Sequence, residues 1–323
     1  MIIKSKRVFY KDWVYTWLVE KKDYVKESTY ANYSNIVFNH IIPKLGDYKL
    51  NELNHKIIQD FLLELSKNGR KDNNGGLSEK TIKDITIVVK GSIKKGINEG
   101  KIKHIELSFN YPRDDKKKNI YILTKQEQNK ITNYVLNNCT PKNIGFLISL
   151  YSGIRIGELC ALQWKDIDFK NNKLYISKTV QRIYIKDKNE CISKIIITSP
   201  KTKNANREIP INKEFLEILK KIRSDKNNYI LSNSDKYIEP RTYRKYFNKI
   251  LKELKIKQFN FHSLRHTFAT NCISLGCDYK TVSELLGHSN VNITLNLYVH
   301  PRYSQKKKCI DLISKIFQEK VNM

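Results

Sequence analysis

The stretch FHSLRHTFAT, residues 261–270, carries two histidines and an arginine at helical spacing in the C-terminal part of the chain. On a helix, His262 and Arg265 are three positions apart and project from one face, so an imidazole and a guanidinium can contact the same oxyanion. His266 lies on that side of the helix as well. This spacing alone is also typical of a solvated helix face. Whether it indicates a functional site therefore depends on the rest of the chain.

A second arginine follows a predicted helix break in YSGIRIGELCALQW, residues 151–164. Gly153 is expected to end one helix and Arg155 to begin the next, where free backbone N–H groups favour a phosphate. Glu158, one turn further on, is placed to orient the guanidinium. The alternative is a surface ion pair between Arg155 and Glu158, which contributes only ~0.3–0.5 kcal/mol.

A pair of lysines lies in SPKTKNANREIPI, residues 199–211, between two runs that are typical of β-strands. The runs ISKIIITS and REIPI are predicted to pair through the turn, rich in Lys and Asn, that joins them. Lys201 and Lys203 then lie at or near the tip of a hairpin, where a flexible ammonium can reach into a site. The spacing alone does not distinguish either lysine from an ordinary solvated amine.

The stretch LGHSNVNITLNLYVH, residues 286–300, places His288 ten positions before Tyr298. Taken alone, the stretch is typical of a packed helix. If Tyr298 takes part in chemistry, its side chain is expected to be exposed, with Leu295 and Leu297 packing against the protein.

Together, these residue types suit the attack of a phenol on a DNA phosphodiester. Arginines match the planar geometry of phosphate oxygens and stay charged, so a pair of them stabilises the pentacoordinate transition state without a metal. A tyrosine, with a pKa near ~10, needs a neighbour such as histidine that removes its proton or stabilises the phenolate. A lysine can protonate the departing 5′ oxygen. No cofactor and no metal ion are therefore expected.

The charge of the chain favours a polyanionic partner. Sixty Lys and Arg stand against 32 Asp and Glu in 323 residues, a net charge of +28. The excess is spread along the chain, with 20 basic against 13 acidic residues in 1–110 and 40 against 19 in 111–323. Double-stranded DNA is the expected partner, and a membrane surface is the alternative.

The sequence lacks an apolar signal core at its start and an apolar run of the ~20 residues that span a bilayer. Six cysteines are scattered through predicted helices and strands: Cys139, Cys160, Cys191, Cys272, Cys277 and Cys309. A soluble protein in the reducing cytoplasm, without membrane association, is expected.

Residues 8–100 show the three-and-four periodicity of short amphipathic helices, which predicts a four-helix domain. The longest apolar stripe consists of Ile82, Ile85, Val89, Ile93 and Ile97. A proline and dense charge in LSFNYPRDDKKKN then indicate an exposed linker. We therefore expect a helical domain over 1–110, a linker over 111–119 and a second domain over 120–323.

The second domain is expected to begin with a helix at the capping-box spacing of Thr124 and Glu127. The runs KLYIS, ISKIIITS and REIPI predict strands. Further helices are predicted over residues 213–223, 241–254, 261–275 and 279–286. The expected fold class is mainly α with a small antiparallel β-sheet.

Several extended motifs resemble those of the tyrosine recombinases of the phage integrase family. SGIRIGELCAL, the PKT of the predicted hairpin, HSLRHTFAT, LGHSN and TLNLYVH follow the order of that family's R…K…HxxR…H…Y constellation. The matching residues are Arg155, Lys201, His262, Arg265, His288 and Tyr298. The helical N-terminal region is similar, in pattern and position, to the family's SAM-like core-binding domain, and residues 120–323 are similar to its mixed α+β catalytic domain.

The resemblance implies a site-specific DNA recombinase that needs neither metal nor ATP. Arg155 and Arg265 would clamp the scissile phosphate. Lys201 would be the general acid, with Lys203 as the alternative, and His262 would act in acid–base catalysis.

In the same resemblance His288 would hydrogen-bond the phosphate or the tyrosine, and Tyr298 would be the nucleophile that forms a 3′-phosphotyrosyl bond. The family encloses DNA at specific recombination sites in a C-shaped clamp and acts as a tetramer, so a monomer or weak oligomer is expected away from DNA. Accessory DNA-bending or excision factors are further possible partners. A C-terminal tail helix with Ile310, Ile313 and Phe317 on one face would dock on a neighbouring protomer or fold back on its own.

The amino-acid sequences of these motifs favour an integrase of a phage or other mobile element, and an Xer-like resolvase or a DNA invertase is the alternative. Three readings from other classes stay open. A type IB topoisomerase shares the chemistry, and a DNA-binding regulator would need only charge and helices. A zinc enzyme would use His262 and His266 with Cys272 and Cys277, but HSLRH lacks the glutamate of HExxH and places an arginine between the histidines.

Overall fold

A computed structural model of the protein describes residues 8–72, 74–112, 120–188, 190–199 and 206–298, together with residues 307, 310, 311 and 314. Lys201 and Lys203 lie outside the described residues, and so do the side chains of residues 296–298. The chain divides into two compact units. One consists of Met1–Asn119 with Arg182–Ile195, and the other of Ile120–Gln181 with Ile196–Met323.

The first unit is built around five helices. They are α1 (Tyr10–Lys21), α2 (Glu27–Ile36), α3 (Ile42–Leu45), α4 (His55–Asn68) and α5 (Glu79–Asn98). One turn of π-helix, Val37–Ile41, joins α2 to α3 without a break. Asn54 and Ser78 cap α4 and α5 by accepting hydrogen bonds from backbone N–H groups. As the periodicity predicted, the apolar faces of these helices enclose one core.

The chain after α5 continues to pack on this unit. Ile102, Ile105 and Phe109 are buried in its core. The Gln59 side chain donates to the carbonyl oxygen of Asn110 at 3.0 Å and accepts from the N–H of Asn110 at 3.0 Å. The segment is therefore packed on the first unit as far as Asn110, although many residues around its buried apolar side chains are polar.

Two strands, β3 (Thr179–Asp187) and β4 (Glu190–Thr198), form a two-stranded sheet. The part of this sheet within Arg182–Ile195 belongs to the first unit. The backbone N–H of Lys186 donates to Ser34 Oγ at 3.1 Å, and Lys194 pairs with Glu27.

The second unit contains eight helices among the described residues. They are α6 (Lys125–Asn137), α7 (Pro141–Ser152), α8 (Ile156–Ala161), α9 (Lys213–Lys221), α10 (Pro240–Glu253), α11 (His262–Ser274), α12 (Tyr279–Leu286) and α13 (Val291–Tyr298). The predicted capping box is confirmed, because Glu127 N donates to Thr124 Oγ1 at 3.2 Å and Thr124 N donates to Glu127 Oε2 at 2.8 Å. Of the predicted tail helix, only residues 307, 310, 311 and 314 are described, and they are helical.

An aromatic core fixes the start of α11. Phe247 of α10 lies 5.2 Å from Phe146 of α7 and 4.9 Å from Phe261, measured between ring centroids. All three side chains are buried. Because Phe261 immediately precedes α11, this packing sets the position of the helix that carries HSLRH.

A three-stranded antiparallel sheet completes the second unit. Its order is β1 (Ile167–Asp168), β2 (Lys173–Ile176) and β5 (Arg207–Pro210), with Ile176 opposite Arg207. The predicted hairpin between ISKIIITS and REIPI is therefore wrong: β4 pairs with β3, and β5 pairs with β2. The run TVQRIYIKD forms β3, and only two residues separate it from β4. Pairing these two strands therefore costs less loop-closure entropy than pairing strands joined by a longer connection. Lys201 follows β4 and precedes β5 in the sequence, and it lies outside the described residues.

The predicted fold class is confirmed, since the chain is mainly helical with small antiparallel sheets. In the part of the chain that the structure describes, no helix has the length and apolar character needed to cross a membrane.

Candidate active site

Arg155 lies at the junction between α7 and α8. Gly153 ends α7 with a left-handed backbone, φ +65°, which glycine adopts without steric strain. The Arg155 N–H donates to Glu158 Oε2 at 2.9 Å, and its Nη1 donates to Glu158 Oε1 at 2.7 Å. Glu158 is buried, whereas 38% of the Arg155 side chain is exposed. The prediction that Glu158 orients Arg155 is thereby confirmed.

Helix α11 brings a second guanidinium to this junction. Arg265 is only 2% exposed, and its Nη1 donates to the Gly153 carbonyl oxygen at 2.9 Å. The rings of His262 and His266 meet edge to face, with centroids 4.7 Å apart. The HxxR spacing therefore places Arg265 inside the protein and not on a solvated face.

The turn between α12 and α13 adds His288. Gly287 ends α12 with φ +65°, and its carbonyl oxygen accepts from Arg155 Nη2 at 3.3 Å. His288 Nδ1 lies 2.8 Å from the hydroxyl oxygen of Thr294, a fully buried residue of α13. Arg265 is thus bound to the end of α7, and Arg155 is bound to the end of α12, next to His288. These contacts bring the three residues into one site.

The imidazoles of the site are kept neutral by burial and, to a lesser extent, by the positive charge around them. Burial, followed by repulsion from Arg265 and Arg155, lowers the pKa of His288 to about 3. Desolvation of its ring, followed by repulsion from His266 and Arg265, lowers the pKa of His262 to about 4. At neutral pH both rings are therefore uncharged, and the surrounding charge favours an anion.

Arg207 is a further part of the site that the sequence reasoning missed. Its side chain is 5% exposed, and its Nη2 lies 2.8 Å from Glu158 Oε2. Burial acts to raise the pKa of Glu158, but Arg207 and Arg155 outweigh it and the pKa is lowered. The available signal was strand alternation, because Arg207 shares a face of β5 with the buried Ile209.

Four of the six predicted site residues are brought together: Arg155, His262, Arg265 and His288. Tyr298 is the last residue of α13, and its side chain lies outside the described residues. Leu295, expected to anchor this stretch, is half-buried. Within the described residues, no group of three or more His, Cys, Asp or Glu side chains is arranged to hold a metal ion.

Two family models match the chain. Residues 121–305 match the phage integrase family, and residues 9–66 match the phage integrase N-terminal SAM-like domain. The chain belongs to the phage integrase family. It is a tyrosine recombinase, an enzyme that cleaves and rejoins DNA in site-specific recombination.

Two relatives of this integrase align with nearly all of it. A XerC-like tyrosine recombinase of Caldanaerobacter subterraneus subsp. tengcongensis is 29% identical over 333 residues, covering 95% of this chain and 83% of the relative. The ICEBs1 integrase of Bacillus subtilis is 24% identical over 327 residues, with the same coverage of 95% and 83%.

Solved structures of integrases share the fold. The Tn1549 transposon integrase in complex with a circular intermediate DNA matches with a TM-score of 0.74 and 21% identity, covering 94% of this chain and 99% of that one. A lambda integrase tetramer bound to a Holliday junction matches with a TM-score of 0.59 and 21% identity, covering 90% and 80%. The arrangement of elements in this integrase is thus that of enzymes solved on DNA.

Replacing Gly153 with alanine is expected to destabilise the integrase at the site itself. An added Cβ would lie 2.5 Å from Phe268 Cδ1, in addition to the left-handed backbone cost of about 1–2 kcal/mol. Gly100 is the matched control, because it has φ +68° and, among the described residues, no neighbouring side chain or backbone within 4 Å of an added Cβ. Urea unfolding should show a clearly larger loss for Gly153→Ala than for Gly100→Ala, and equal losses would contradict the packing argument.

Replacing Thr294 with valine is expected to slow DNA cleavage through His288. The substitution keeps the shape of a buried side chain but removes the hydroxyl that contacts His288 Nδ1. Loss of one hydrogen bond, about 1–1.5 kcal/mol, corresponds to roughly a tenfold slower single-turnover cleavage. Rates should be measured at saturating protein, with DNA affinity in parallel. An unchanged cleavage rate would show that this contact does not orient the imidazole.

Proposed function

We propose that this integrase inserts and excises a mobile DNA element, with Tyr298 as the nucleophile that forms a 3′-phosphotyrosyl bond. The observation that carries the proposal is the convergence of Arg155, Arg265 and His288 at the two helix ends marked by Gly153 and Gly287. Helix α13 starts three residues after His288 and ends at Tyr298, which supports delivery of the phenol to the same site.

The two arginines bind the scissile phosphate. Arg265 is rigidly held and largely desolvated, so its charge acts on the developing pentacoordinate centre without reorganisation. Arg155 is held on one side by Glu158 and presents an exposed edge to the incoming DNA. A pair of planar guanidiniums matches the non-bridging oxygens of the phosphate.

The remaining groups move protons. His262, neutral before DNA binds, acts in acid–base catalysis, and His288 hydrogen-bonds the phosphate or the phenol. Lys201 protonates the departing 5′ oxygen, with Lys203 as the alternative. Because the phosphotyrosyl bond keeps the energy of the broken DNA bond, resealing by a second hydroxyl needs no ATP, and the chain uses no metal or other cofactor.

Two sequence domains divide the work on DNA, with bounds that differ from those of the two compact units because Arg182–Ile195 groups with the first unit. Residues 1–110 form the core-binding domain, 111–119 the linker, and 120–323 the catalytic domain with its tail. The active assembly is a homotetramer on two DNA sites, as the tetrameric lambda integrase on a Holliday junction suggests by analogy. Away from DNA, the chains are monomers or weak oligomers. Accessory DNA-bending or excision factors assist recombination. The enzyme acts in the cytoplasm, where its DNA lies.

The direct test is capture of the covalent intermediate. A nicked suicide substrate that carries the element's end loses the 5′-hydroxyl strand after cleavage, so resealing is blocked and the adduct accumulates. Peptide mapping should assign the attached nucleotide to Tyr298. Attachment to the neighbouring Tyr303, or no adduct at all with DNA from both element ends, would contradict the proposal.

An Xer-like resolvase is the second candidate, favoured by the 29% identity to a XerC-like relative over nearly the whole chain. Two plasmid substrates separate the candidates. One carries the joined element ends beside an unoccupied target site, and the other carries two identical directly repeated sites. An integrase recombines the first pair, whereas a resolvase deletes the segment between the repeats.

DNA binding is expected to be steeply dependent on salt. With a net charge of +28, the integrase should release many condensed cations from the DNA backbone. For about 6–10 neutralised phosphates, affinity should fall by roughly 10³–10⁵ between about 50 and 200 mM salt. Fluorescence anisotropy on a site-bearing duplex and on a scrambled duplex measures this slope. An affinity that hardly changes with salt would rule out a backbone-dominated interface.

A further inference from the structure

We propose that Arg207 is a positioning residue for DNA cleavage: it holds Arg155 through Glu158 and holds the turn that carries His288 through the Leu285 carbonyl. The inference rests on the proposed function, because it assigns a role within the same site. It concerns a residue that lies outside the five motifs shared with the family.

Two arginines share the buried carboxylate of Glu158. Arg207 approaches it with Nη2 at 2.8 Å from Oε2 and Nη1 at 3.3 Å from Oε1. Arg155 binds the same two oxygens with its Nη1 at 2.7 Å and its backbone N–H at 2.9 Å. Each carboxylate oxygen thus accepts from both arginines, and the orientation of one guanidinium depends on the other.

Arg207 also holds the end of α12. Its Nε donates to the carbonyl oxygen of Leu285 at 2.7 Å, and two residues later the Gly287 carbonyl oxygen accepts from Arg155. These bonds close a ring that runs from Arg207 through Glu158 and Arg155 to Gly287 and back through Leu285. His288 follows directly after this ring, so its backbone position is set by the same bonds.

Exposure separates the roles of the two arginines. The Arg155 side chain is 38% exposed, and that of Arg207 is 5% exposed. Arg207 therefore lies behind the carboxylate, while Arg155 lies in front of it with an edge open to an anion. Only a guanidinium fits the rear position, since its rigid fork reaches both a carboxylate and a backbone carbonyl, which a single ammonium does not.

Loss of Arg207 should also make cleavage sensitive to acid. Glu158 faces the cations Arg155 and Arg207, and it lies near enough to His262 to favour its protonated form. With Arg207 removed, burial dominates and the pKa of Glu158 rises, so the carboxylate protonates as the pH falls. A protonated Glu158 no longer fixes Arg155, and cleavage slows at a pH at which the unaltered enzyme still holds Arg155.

The test compares variants in the full-length protein. Arg207→Met removes the fork at similar length, Arg207→Lys keeps the charge, and Arg207→Met with Glu158→Gln removes the titratable carboxylate as well. Glu208→Gln is the matched control, because it breaks an exposed ion pair with Lys173 at the next position of β5. Single-turnover adduct formation, DNA affinity, melting temperature and the pH profile from about 5.5 to 8 are measured for each.

For Arg207→Met we expect cleavage about 30- to 100-fold slower, in line with a misplacement of about 1 Å, and DNA affinity within about threefold. Its rate relative to the unaltered enzyme should fall further as the pH falls, and the double variant should lose that pH dependence. Arg207→Lys should recover part of the rate, and Glu208→Gln should cleave as the unaltered enzyme does.

A lower melting temperature with an unaltered cleavage rate per folded molecule would overturn the proposal, because it would assign Arg207 to folding alone. If Arg207→Met does not fold, Arg207→Lys decides: a normal rate and pH profile in that variant overturn it equally. Failure of the unaltered enzyme to form any adduct would instead contradict the proposed function, so the two failures are distinguishable.

Discussion

Tyr298→Phe is expected to abolish covalent attachment to DNA, with a loss of at least about 10⁴-fold in cleavage, the scale seen when a nucleophile is removed. Phenylalanine keeps the aromatic ring and its packing but lacks the oxygen that attacks the phosphate. DNA affinity should therefore stay within a few-fold of the unaltered enzyme. A denaturing gel of the nicked suicide substrate reports the adduct directly, and anisotropy reports binding in the same samples.

Tyr303→Phe is the matched control for this experiment. Tyr303 is the other tyrosine in the last 30 residues of the chain, and it lies five positions beyond Tyr298. Its replacement should leave adduct formation unchanged. A DNA-linked band that survives in Tyr298→Phe would mean that another group attacks the phosphate, and the assignment of Tyr298 would have to be given up.

Local signals in the sequence were enough to predict most of the helices. The capping box of Thr124 and Glu127 and the glycine that ends α7 act within one turn of the chain, so spacing alone reveals them. Strand pairing was not predictable in the same way. Whether β5 pairs with β4 or with β2 depends on a strand some 30 residues earlier and on the unnoticed run that forms β3.

The same distinction applies to the active site. Arg155, His262, Arg265 and His288 occur in extended motifs whose order could be matched to a family, and the structure brings them together. Arg207 has no such motif. Its importance arises from burial beside Glu158, and burial of a charged side chain becomes visible only when strands and helices from distant parts of the sequence are packed.

The positive charge of the site also has a chemical consequence. Burial of the ring, followed by repulsion from Arg265, Arg155 and Arg207, lowers the pKa of His288 and so keeps the imidazole neutral in the free enzyme. A bound phosphate partly cancels that repulsion, which raises the affinity of His262 and His288 for a proton. We therefore expect both rings to take up a second proton more readily when DNA is bound than in the free enzyme.

The second large effect is expected from replacing Arg155 or Arg265 with lysine. The two substitutions should differ in whether they lower stability as well as the cleavage rate. Arg155→Lys keeps the charge on a partly exposed side chain but loses the planar contact with two oxygens, so cleavage should slow by about 10²–10³ with stability nearly unchanged. Arg265→Lys places an ammonium in a buried position shaped for a guanidinium, so stability should fall together with cleavage.

Arg223→Lys is the control for both variants, because Arg223 is an exposed arginine of the same unit that stacks on Phe169. It should cleave normally. DNA affinity, single-turnover cleavage and thermal stability should be measured on all three proteins. Normal cleavage by Arg155→Lys would show that the site needs only a positive charge at this position. Equal thermal stability of Arg155→Lys and Arg265→Lys would contradict the buried, preorganised role of Arg265, since the two sites differ chiefly in exposure.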